Sequence, residues 1–270
     1  MVVEKEKRRM VMRFTKMQAL GNDYIYVNAM EEKIENPSVL AQKLSDRHFG
    51  VGGDGLILID FSEKADVKMR MFNADGTEGE ICGNGIRCVA KYVYDKKIVK
   101  NKNIKIETYN GIIETKIFQK KYSETILADM GQPSIAEENK KIVMGEEEYT
   151  ADYISMGNPH LVVYVDDPKR IQMKEWQEYE KVNVEFVTVL NRNKISMRVK
   201  ERGTGETLAC GTGACAAAVS CMKKQYVDNY VEVEMPGGNL FVEWEKDSNH
   251  IFAAGEAKTV FEGEVDICLP

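Results

Sequence analysis

The chain has 270 residues, of which 43% are apolar and 30% charged, and its formal net charge is −6. These values predict a globular protein with a sizeable core, and the negative charge argues against a nucleic-acid partner, because phosphate binding needs clustered lysine and arginine. No apolar run approaches the roughly 18 residues of a transmembrane helix, and the charged start lacks the apolar stretch of a secretory signal. We therefore expect a cytoplasmic protein with no membrane partner and a short extension over residues 1–11.

The six cysteines indicate free thiols rather than a disulfide framework, because we expect a reducing compartment. None of them forms a C-x-x-C pair and the chain has three histidines, so the spacing typical of a zinc site is missing. We therefore expect no metal. The cysteines are Cys82, Cys88, Cys210, Cys215, Cys221 and Cys268.

In chain order, the sequence predicts many short strands and few helices. A strand begins near Arg13, another follows Gly21-Asn22, and a helix begins at Asn36-Pro37, where an N-cap residue precedes proline at the first helical position. The same arrangement at Asp167-Pro168 predicts a second such helix. Further strands are predicted at Leu56–Phe61, Ile104–Thr108, Ile112–Ile117, Thr125–Met130, Phe186–Leu190, Val231–Met235, Leu240–Trp244 and His250–Ala254.

An internal repeat organises the chain. Residues 69–90 read MRMFNADGTEGEICGNGIRCVA and residues 197–218 read MRVKERGTGETLACGTGACAAA, aligned without a gap by a shift of 128 residues. In both copies, apolar residues follow C-G-x-G at the spacing of one helix face. The repeat predicts two similar α+β halves, each wrapping strands around one central helix. We place the halves at residues 12–124 and 125–258, and expect a last strand, 259–270, to complete the first half.

The C-G-x-G sequence of each copy falls at a helix start. Gly83 and Gly211 leave backbone N–H groups unobstructed, and the first N–H groups of a helix lack intrahelical partners, so they can bind a carboxylate. Cys82 and Cys210 precede the same helices, where the helix dipole is expected to lower the pKa of a thiol well below about 8.5. One copy alone would favour a buried structural cysteine, whereas two copies in matching positions indicate a paired function.

Two such helix starts facing each other would place an amino-acid α-carbon between two sulfurs. One thiolate could remove the α-proton while the opposite thiol donates a proton from the other face, and backbone N–H groups would stabilise the enediolate. No lysine motif for pyridoxal phosphate and no nucleotide fingerprint is evident. The pattern therefore predicts a cofactor-free amino-acid racemase or epimerase, in which the other four cysteines are structural.

Over residues 12–269 the sequence resembles the diaminopimelate epimerase family. The resemblance implies interconversion of LL- and meso-2,6-diaminopimelate, on the route to lysine and the cell wall, by a homodimeric isomerase without a cofactor. It also implies two pseudo-symmetric α+β domains, each a mostly antiparallel barrel or roll, with the active site in the cleft between them. The matching segments, highly specific as a set, are FTKMQALGNDY, RHFGVGGDGL, FNADGTEGEICGNGIRC, SMGNPH, VNVEF, ERGTGETLACGTGACA and PGGNL.

The resemblance implies a role for each matching residue. Cys82 and Cys210 match the base and acid of the family. Gly83-Asn84 and Gly211-Thr212 match the helix starts that hold the carboxylate at the reacting centre. Glu201-Arg202 match the pair at the distal amino-acid end, where an arginine can bind a carboxylate through two hydrogen bonds. The asparagines that match substrate contacts are Asn22, Asn73, Asn158 and Asn183.

Two further residues are candidates for supporting roles, and two features depart from the family. His160 lies in the motif GNPH and is expected near the cysteines, with a structural role equally open. Glu206 matches Glu78 in the repeat, and either buried hydrogen bonding or proton handling would suit it. Gly55 stands where some members carry an amide, and the linker around Ile135–Tyr149 is short for the family. Both departures bear on how the far end of the substrate is bound.

Two alternative functions stay open. A related two-cysteine racemase could act on another amino acid such as histidine, although that substrate has no second carboxylate for Arg202. A non-catalytic thiol- or metal-binding protein would instead bind metal stoichiometrically or form a regulatory disulfide, and would exchange no α-protons. Related folds that isomerise other substrates often lack one of the two cysteines, and both are present here.

Overall fold

Eighteen strands form one mixed sheet that folds around two long helices in the part of the chain that the structure describes. The structure is a computed structural model that describes residues 10–79, 82–120, 123–144, 146–179 and 181–267. Most of the expected extension at 1–11, Cys268 and the end of the expected last strand lie outside these residues. Within these ranges, no helix is long and apolar enough to span a membrane.

The chain runs through two successive sets of elements with the same order. The first set is β1 (Met10–Ala19), β2 (Asn22–Asn28), α1 (Pro37–Ser45), β3 (Gly55–Asp60), β4 (Val67–Asn73), β5 (Glu78–Gly79), α2 (Gly83–Asp95), β6 (Asn103–Thr108), β7 (Gly111–Lys120), β8 (Ser123–Asp129) and β9 (Ser134–Met144). The second set is β10 (Glu147–Ser155), β11 (Pro159–Tyr164), β12 (Asn183–Asn191), β13 (Lys194–Glu201), β14 (Gly205–Thr207), α3 (Gly211–Lys223), β15 (Tyr230–Met235), β16 (Gly238–Trp244), β17 (Ile251–Gly255) and β18 (Lys258–Ile267).

Each set gives its last strand to the sheet of the other set. β18 pairs antiparallel with β1, from Met10 opposite Ile267 to Gln18 opposite Lys258, while β9 pairs antiparallel with β10. The two half-sheets are joined where β8 pairs with β17. The expected boundary between residues 124 and 125 falls within β8, a strand that pairs with β7 of the first half. We therefore propose that the halves separate at residues 130–133, where the chain crosses from one half-sheet to the other.

The two long helices fill the centres of the halves. α2 buries Ile86, Val89 and Val93, which are the apolar positions that the repeat predicts to share one helix face. In α3 every residue from Gly211 to Met222 is buried, and its run of alanines lets the surrounding strands approach the helix closely. Both helices belong to one continuous apolar cluster, so the two halves share a core at their centres.

The two helices predicted from an N-cap followed by proline have different outcomes. The first is confirmed, because α1 begins at Pro37 and the Asn36 side chain accepts a hydrogen bond from the amide of Val39 at 3.3 Å. The second prediction, at Asp167-Pro168, is confirmed in its start but not in its type or length: Asp167 caps a short 3-10 helix at Pro168–Arg170, and a further 3-10 helix follows at Met173–Tyr179. Trp176 is buried there against Phe186, with ring centroids 4.7 Å apart, so tertiary packing overrides the local signal.

The segment taken from the sequence as a short linker, Ile135–Tyr149, contributes instead to two paired strands. β9 and β10 face each other from Ser134 opposite Ser155 to Met144 opposite Glu147, with irregularities in register. Most side chains of β9 are exposed, so the strand lacks the alternation of apolar and polar residues by which a half-buried strand is recognised.

Candidate active site

The two cysteines predicted to react occupy equivalent positions at the starts of the central helices. Cys82 is the N-cap of α2, and its Sγ accepts a hydrogen bond from the amide of Gly85 at 3.2 Å. Cys210 is the N-cap of α3, and its Sγ accepts from the amide of Gly213 at 3.4 Å. A cysteine at an N-cap uses its sulfur as serine uses its hydroxyl, which leaves neighbouring helix amides available to a ligand.

The starts of α2 and α3 lie against each other. A Cβ placed on Gly83 would lie 3.7 Å from the Cα of Gly211, and a Cβ on Gly211 would lie 3.5 Å from the Cα of Gly83. The Nδ2 of Asn84 donates to the carbonyl of Ala209 at 3.3 Å and so connects the two halves at this point. The structure thus brings together the four carboxylate-binding residues expected from the sequence, including Thr212, the residue equivalent to Asn84 in α3.

Both thiols are in environments that favour the protonated form. Burial raises the pKa of the Cys82 thiol to about 12, against the lowering effect of the Gly85 amide. Burial also raises the pKa of Cys210, and the carboxylates of Glu201 and Glu185 raise it further. The expectation that the helix dipole lowers these pKa values is therefore wrong for this arrangement, because loss of water outweighs the single amide hydrogen bond at each sulfur.

Asn22 contacts Cys82 and is held by an acidic residue behind it. The Cys82 thiol donates to Oδ1 of Asn22 at 3.3 Å, while Nδ2 of Asn22 donates to Oδ2 of Asp54 at 2.8 Å. Burial raises the pKa of the Asp54 carboxyl, against the lowering effects of the Asp23 amide and of Arg47. Arg47 donates to the other oxygen of Asp54 at 3.0 Å, so both carboxyl oxygens accept hydrogen bonds. Asp54 therefore orients the amide of Asn22 with its oxygen towards the sulfur.

Glu201, expected at the distal end of the substrate, lies close to the sulfurs instead. Burial raises the pKa of its carboxyl, against the lowering effects of Thr207 and of the nearby Cys210 thiol. The carboxylate also raises the pKa of Cys82 in the opposite half. Oε1 of Glu201 accepts a hydrogen bond from Thr207, which fixes the carboxylate in this position. Its place in the structure favours a role at the reacting centre.

A chain of polar side chains leads from a buried glutamate to the start of α3. Nδ1 of His160 lies 2.7 Å from Oε1 of Glu185, and both side chains are fully buried. Nε2 of His160 lies 3.1 Å from Oδ1 of Asn158, and Nδ2 of Asn158 donates to Oγ1 of Thr212 at 3.4 Å. The structure thus brings two expected residues, His160 and Asn158, to the helix start at Cys210.

The other predicted residues are less closely gathered. Asn183 accepts a hydrogen bond at 2.8 Å from the backbone amide of Arg202, whose side chain is exposed. Nδ2 of Asn73 donates to Thr77 at 2.9 Å within a turn. The structure does not bring Glu206 to the cysteines, since Nε of Arg198 donates to it at 2.7 Å. The first half repeats this ion pair between Arg70 and Glu78 at 2.8 Å, which favours a structural role for both glutamates.

Replacing Gly213 by alanine is expected to damage the start of α3. A Cβ at this position would meet Oε1 of the buried Glu185 at 2.4 Å, so either the helix start or the Glu185–His160 pair has to move. We expect an unfolding free energy lower by about 1–3 kcal/mol, as for overpacking elsewhere, together with a fall in kcat. Thermal unfolding and steady-state kinetics of the variant measure both effects.

The matched control for that variant is Gly85→Ala, at the equivalent position of α2. There a Cβ would meet the far ends of two apolar side chains, Cδ1 of Ile57 at 2.9 Å and Cε of Met69 at 3.0 Å, and would lie at an ordinary van der Waals distance of 3.4 Å from the Cβ of Cys82. Because such groups can shift at low cost, Gly85→Ala should be the milder change. A Gly213→Ala protein as stable and active as Gly85→Ala would contradict the assigned role of Glu185.

Comparison with known proteins identifies the family. A family model described as diaminopimelate epimerase matches residues 14–136 and 152–260. A relative from Methanococcus maripaludis (strain C5) named diaminopimelate epimerase is 47% identical over 278 residues, covering 95% of this chain and 100% of the relative. The chain belongs to the diaminopimelate epimerase family. A relative of the same name from Acetivibrio thermocellus is 46% identical over 277 residues, covering 95% of this chain and 99% of the relative. The expected membership of an isomerase family is therefore confirmed.

Solved structures of lower identity share the fold of this family member. A phenazine biosynthesis protein of the PhzF family from Bacillus anthracis has a TM-score of 0.75 at 20% identity, covering 96% of this chain and 100% of that protein. A hydroxyproline epimerase from Agrobacterium vitis has a TM-score of 0.74 at 13% identity, covering 96% of this chain and 94% of that protein. At these identities the likeness shows the fold alone, and it confirms the predicted α+β class.

Three residues of the site lie within the family motifs but were not predicted from the sequence: Asp54, Arg87 and Glu185. The signal that could have found Glu185 is the repeat itself. A shift of 128 residues sets Glu185 opposite Ile57, so a carboxylate stands where the other half buries an apolar side chain. A buried charge that appears in only one copy of a repeat is typical of a functional site rather than of the shared core.

Proposed function

We propose that this chain is an epimerase that interconverts LL- and meso-2,6-diaminopimelate without a cofactor. The observation that carries the proposal is the contact between the two cysteine-capped helix starts at Gly83 and Gly211. An α-carbon whose carboxylate is bound by both helix starts has one sulfur on each face, as inversion by two bases requires. Membership of the diaminopimelate epimerase family supports the choice of substrate.

In the proposed reaction, the thiolate of one cysteine removes the α-proton and the thiol of the other donates a proton to the opposite face. The electron pair of the broken C–H bond enters the enediolate and returns to the α-carbon in the new C–H bond, so no oxidant or reductant is needed. At the end, the first cysteine is the thiol and the second the thiolate. Backbone N–H groups at the starts of α2 and α3, flanked by Asn84 and Thr212, would stabilise the enediolate, which is usually the largest contribution in such reactions.

Glu201 is proposed to accept the proton of Cys210 in the direction of reaction in which that cysteine is the base. Burial raises the pKa of the Glu201 carboxyl, which makes it a stronger base than an exposed glutamate, whereas a Glu201 that stays ionised favours the thiol form of Cys210. The Cys82 thiol instead donates to the amide oxygen of Asn22, a group that cannot accept the proton. The two sulfurs therefore have different partners for the same chemistry.

The far amino-acid end of the substrate is proposed to contact Arg202 and the asparagines predicted from the family. The exposed guanidinium of Arg202 can bind a carboxylate through two parallel hydrogen bonds, and the hydrogen bond from its backbone amide to Asn183 fixes the residue that carries it. Amide oxygens can accept hydrogen bonds from the substrate ammonium group. These asparagines are Asn73, Asn158 and Asn183, while Asn22 contacts Cys82 at the reacting centre.

Family membership also supports two proposals about the state of the enzyme in the cell. We propose that it is a homodimer located in the cytoplasm. Sedimentation equilibrium of the purified protein tests the dimer, and fractionation of cells that make the full chain tests the location.

The test of the proposed function is a substrate panel in heavy water. The reduced protein should incorporate deuterium at the α-carbon of LL- and meso-diaminopimelate and interconvert them, and it should leave L-lysine and L-histidine unlabelled. Labelling of histidine but not of diaminopimelate would replace the proposal with a single-centre racemase. Absence of exchange with every substrate, under conditions in which both thiols are reduced, would reject the two-cysteine reaction.

A further inference from the structure

Arg87 is a fully buried arginine of α2 that lacks an acidic partner among the described residues. Its Nη1 donates to the carbonyl of Gly83 at 3.2 Å and its Nη2 to Oδ1 of Asn84 at 2.6 Å. Its Nε has no hydrogen-bond partner in the described part of the chain. An arginine stays protonated in proteins, and a buried charge is normally paired, so this cation needs an explanation beyond packing.

The contacts of Arg87 lead directly to the junction of the two helix starts. By accepting from Arg87, the oxygen of Asn84 is fixed towards α2, so the Nδ2 of the same amide is directed to the carbonyl of Ala209, one residue before Cys210. Glycine at Gly255 lets β17 pack on the guanidinium, since a Cβ there would lie 3.3 Å from its Nε. β17 therefore holds the guanidinium in place on one side. On its other side, the guanidinium holds Asn84 in the hydrogen bond that connects the two halves.

The charge of Arg87 is not repeated in the second half. A shift of 128 residues sets Arg87 opposite Cys215 and the buried Glu185 opposite Ile57. The first half thus buries a cation behind Cys82, and the second half buries carboxylates near Cys210. Glu201 acts on both cysteines, so the two positions differ in their second charged neighbour, which is Arg87 for Cys82 and Glu185 for Cys210.

We propose that Arg87 is a positioning residue of the site, which locks Asn84 across the two helix starts and makes Cys82 the cysteine that ionises first. This inference rests on the proposed two-cysteine function. Glu201 disfavours a thiolate at both cysteines; Arg87 opposes this effect at Cys82, whereas Glu185 adds to it at Cys210. Ionisation in order gives the resting enzyme one thiolate and one thiol, the state from which proton exchange with inversion begins. The other titratable groups that act on Cys82 are Cys88 on α2, Tyr24 and Tyr26 on β2, and Glu201 on β13.

The experiment titrates each thiol without turnover, so its outcome is separate from that of the substrate panel. The pH dependence of iodoacetamide alkylation is measured for Cys82 in a Cys210→Ala protein and for Cys210 in a Cys82→Ala protein, with the modified peptides quantified by mass spectrometry. The midpoint of each curve is compared rather than the rate, because Cys82 is the more exposed cysteine. We expect a lower midpoint for Cys82. A lower midpoint for Cys210 would overturn the proposed order of ionisation.

Variants at Arg87 separate its charge from its packing. In Arg87→Met, we expect about tenfold less Cys82 thiolate at a given pH, the effect of removing one neighbouring charge, with no shift for Cys210. Arg87→Lys keeps the charge but loses the pair of guanidinium hydrogen bonds to Gly83 and Asn84. The Cys82 midpoint of this variant should therefore equal that of the protein with Arg87, while its kcat stays low. The control is Cys215→Ala, which alters packing at the equivalent position of α3 and should move neither midpoint.

Each outcome for these variants decides the proposal. An unchanged Cys82 midpoint in folded Arg87→Met would show that the arginine is structural only. Should Arg87→Met not fold, the lysine variant decides: a Cys82 midpoint raised as far as that of Cys210, despite the retained charge, or a kcat equal to that of the unaltered enzyme, would reject the proposal.

Discussion

Replacing either Cys82 or Cys210 by alanine is expected to abolish epimerisation of diaminopimelate, with kcat lowered by about 10⁴-fold or more, because each variant lacks the acid or the base on one face of the α-carbon. Neither sulfur can substitute for the other, since the two cysteines cap different helices on opposite sides of the Gly83–Gly211 contact. The measurement is the initial rate of conversion of each stereoisomer by the reduced variants, with circular dichroism to verify folding.

The matched controls for these variants are Cys88→Ala in α2 and Cys215→Ala in α3. Both side chains are buried in the apolar cluster and lie within the helices rather than at the N-caps where the helix starts meet, so neither thiol is placed to reach the substrate. We expect near-normal kcat and a modest loss of stability. Full activity of Cys82→Ala or Cys210→Ala would rule out the two-base reaction, and loss of activity in both controls would point to a general packing effect.

The sequence was sufficient to place the helix starts because their signals are local. Glycines after a cysteine, followed by apolar residues at helical spacing, predict a helix start wherever they occur, and the repeat makes the prediction twice. The structure begins α2 at Gly83 and α3 at Gly211, directly after the two cysteines. The contact between the N-terminal ends of α2 and α3 also follows from the repeat, because pseudo-symmetric halves bury equivalent faces.

The ionisation of the thiols could not be predicted in the same way. A helix dipole is visible in the sequence, but the exclusion of water from Cys210 depends on strands that are distant in the chain, and burial has the larger effect on its pKa. The position of Glu201 beside the sulfurs depends equally on tertiary structure. The family motif contains the residue but does not say which end of the substrate it faces.

The exchange of the last strands between the halves could be predicted only in part from the sequence. An expected last strand at 259–270 was assigned to the first half, and β18 pairs with β1. Its counterpart β9 was not recognised as a strand, because charged residues at its exposed positions remove the alternation. Pairing partners far apart in sequence leave no local pattern, whereas a repeated motif does.

A second large effect, on the free energy of unfolding, is expected when a buried acidic residue at the C-terminal end of α3 is replaced. Asp152 on β10 is 1% exposed, and its Oδ1 lies 3.1 Å from Nζ of Lys224, whose side chain is 9% exposed. The same carboxylate accepts hydrogen bonds from the hydroxyl of Ser220 and, at 2.8 Å, from the amide of Asn139 on β9. Asp152 therefore joins the end of α3 to its own strand and to the strand contributed by the other half.

Asp152→Ala should lower the free energy of unfolding by about 3–5 kcal/mol, because it leaves the Lys224 ammonium buried without its partner. The corresponding fall in Tm is roughly 10 °C for a chain of this size. Asp152→Asn keeps the shape and loses the charge, so its loss should be smaller. Differential scanning calorimetry measures both variants against the unaltered protein.

The control for Asp152 is Glu114→Ala, which breaks the pair between Lys105 and Glu114, with side chains 57% and 63% exposed. Solvent-exposed pairs contribute about 1 kcal/mol or less, so the Tm of Glu114→Ala should hardly change. An equal fall in Tm for Asp152→Ala and Glu114→Ala would refute the proposed contribution of the buried network to stability.

The activity of Asp152→Ala gives the second comparison. α3 has 13 residues and is about 20 Å long, so Asp152→Ala should retain its kcat well below its Tm. The residues at the C-terminal end of α3 that set the stability of the second half are therefore separable from the residues at its N-terminal end that set the chemistry of Cys210.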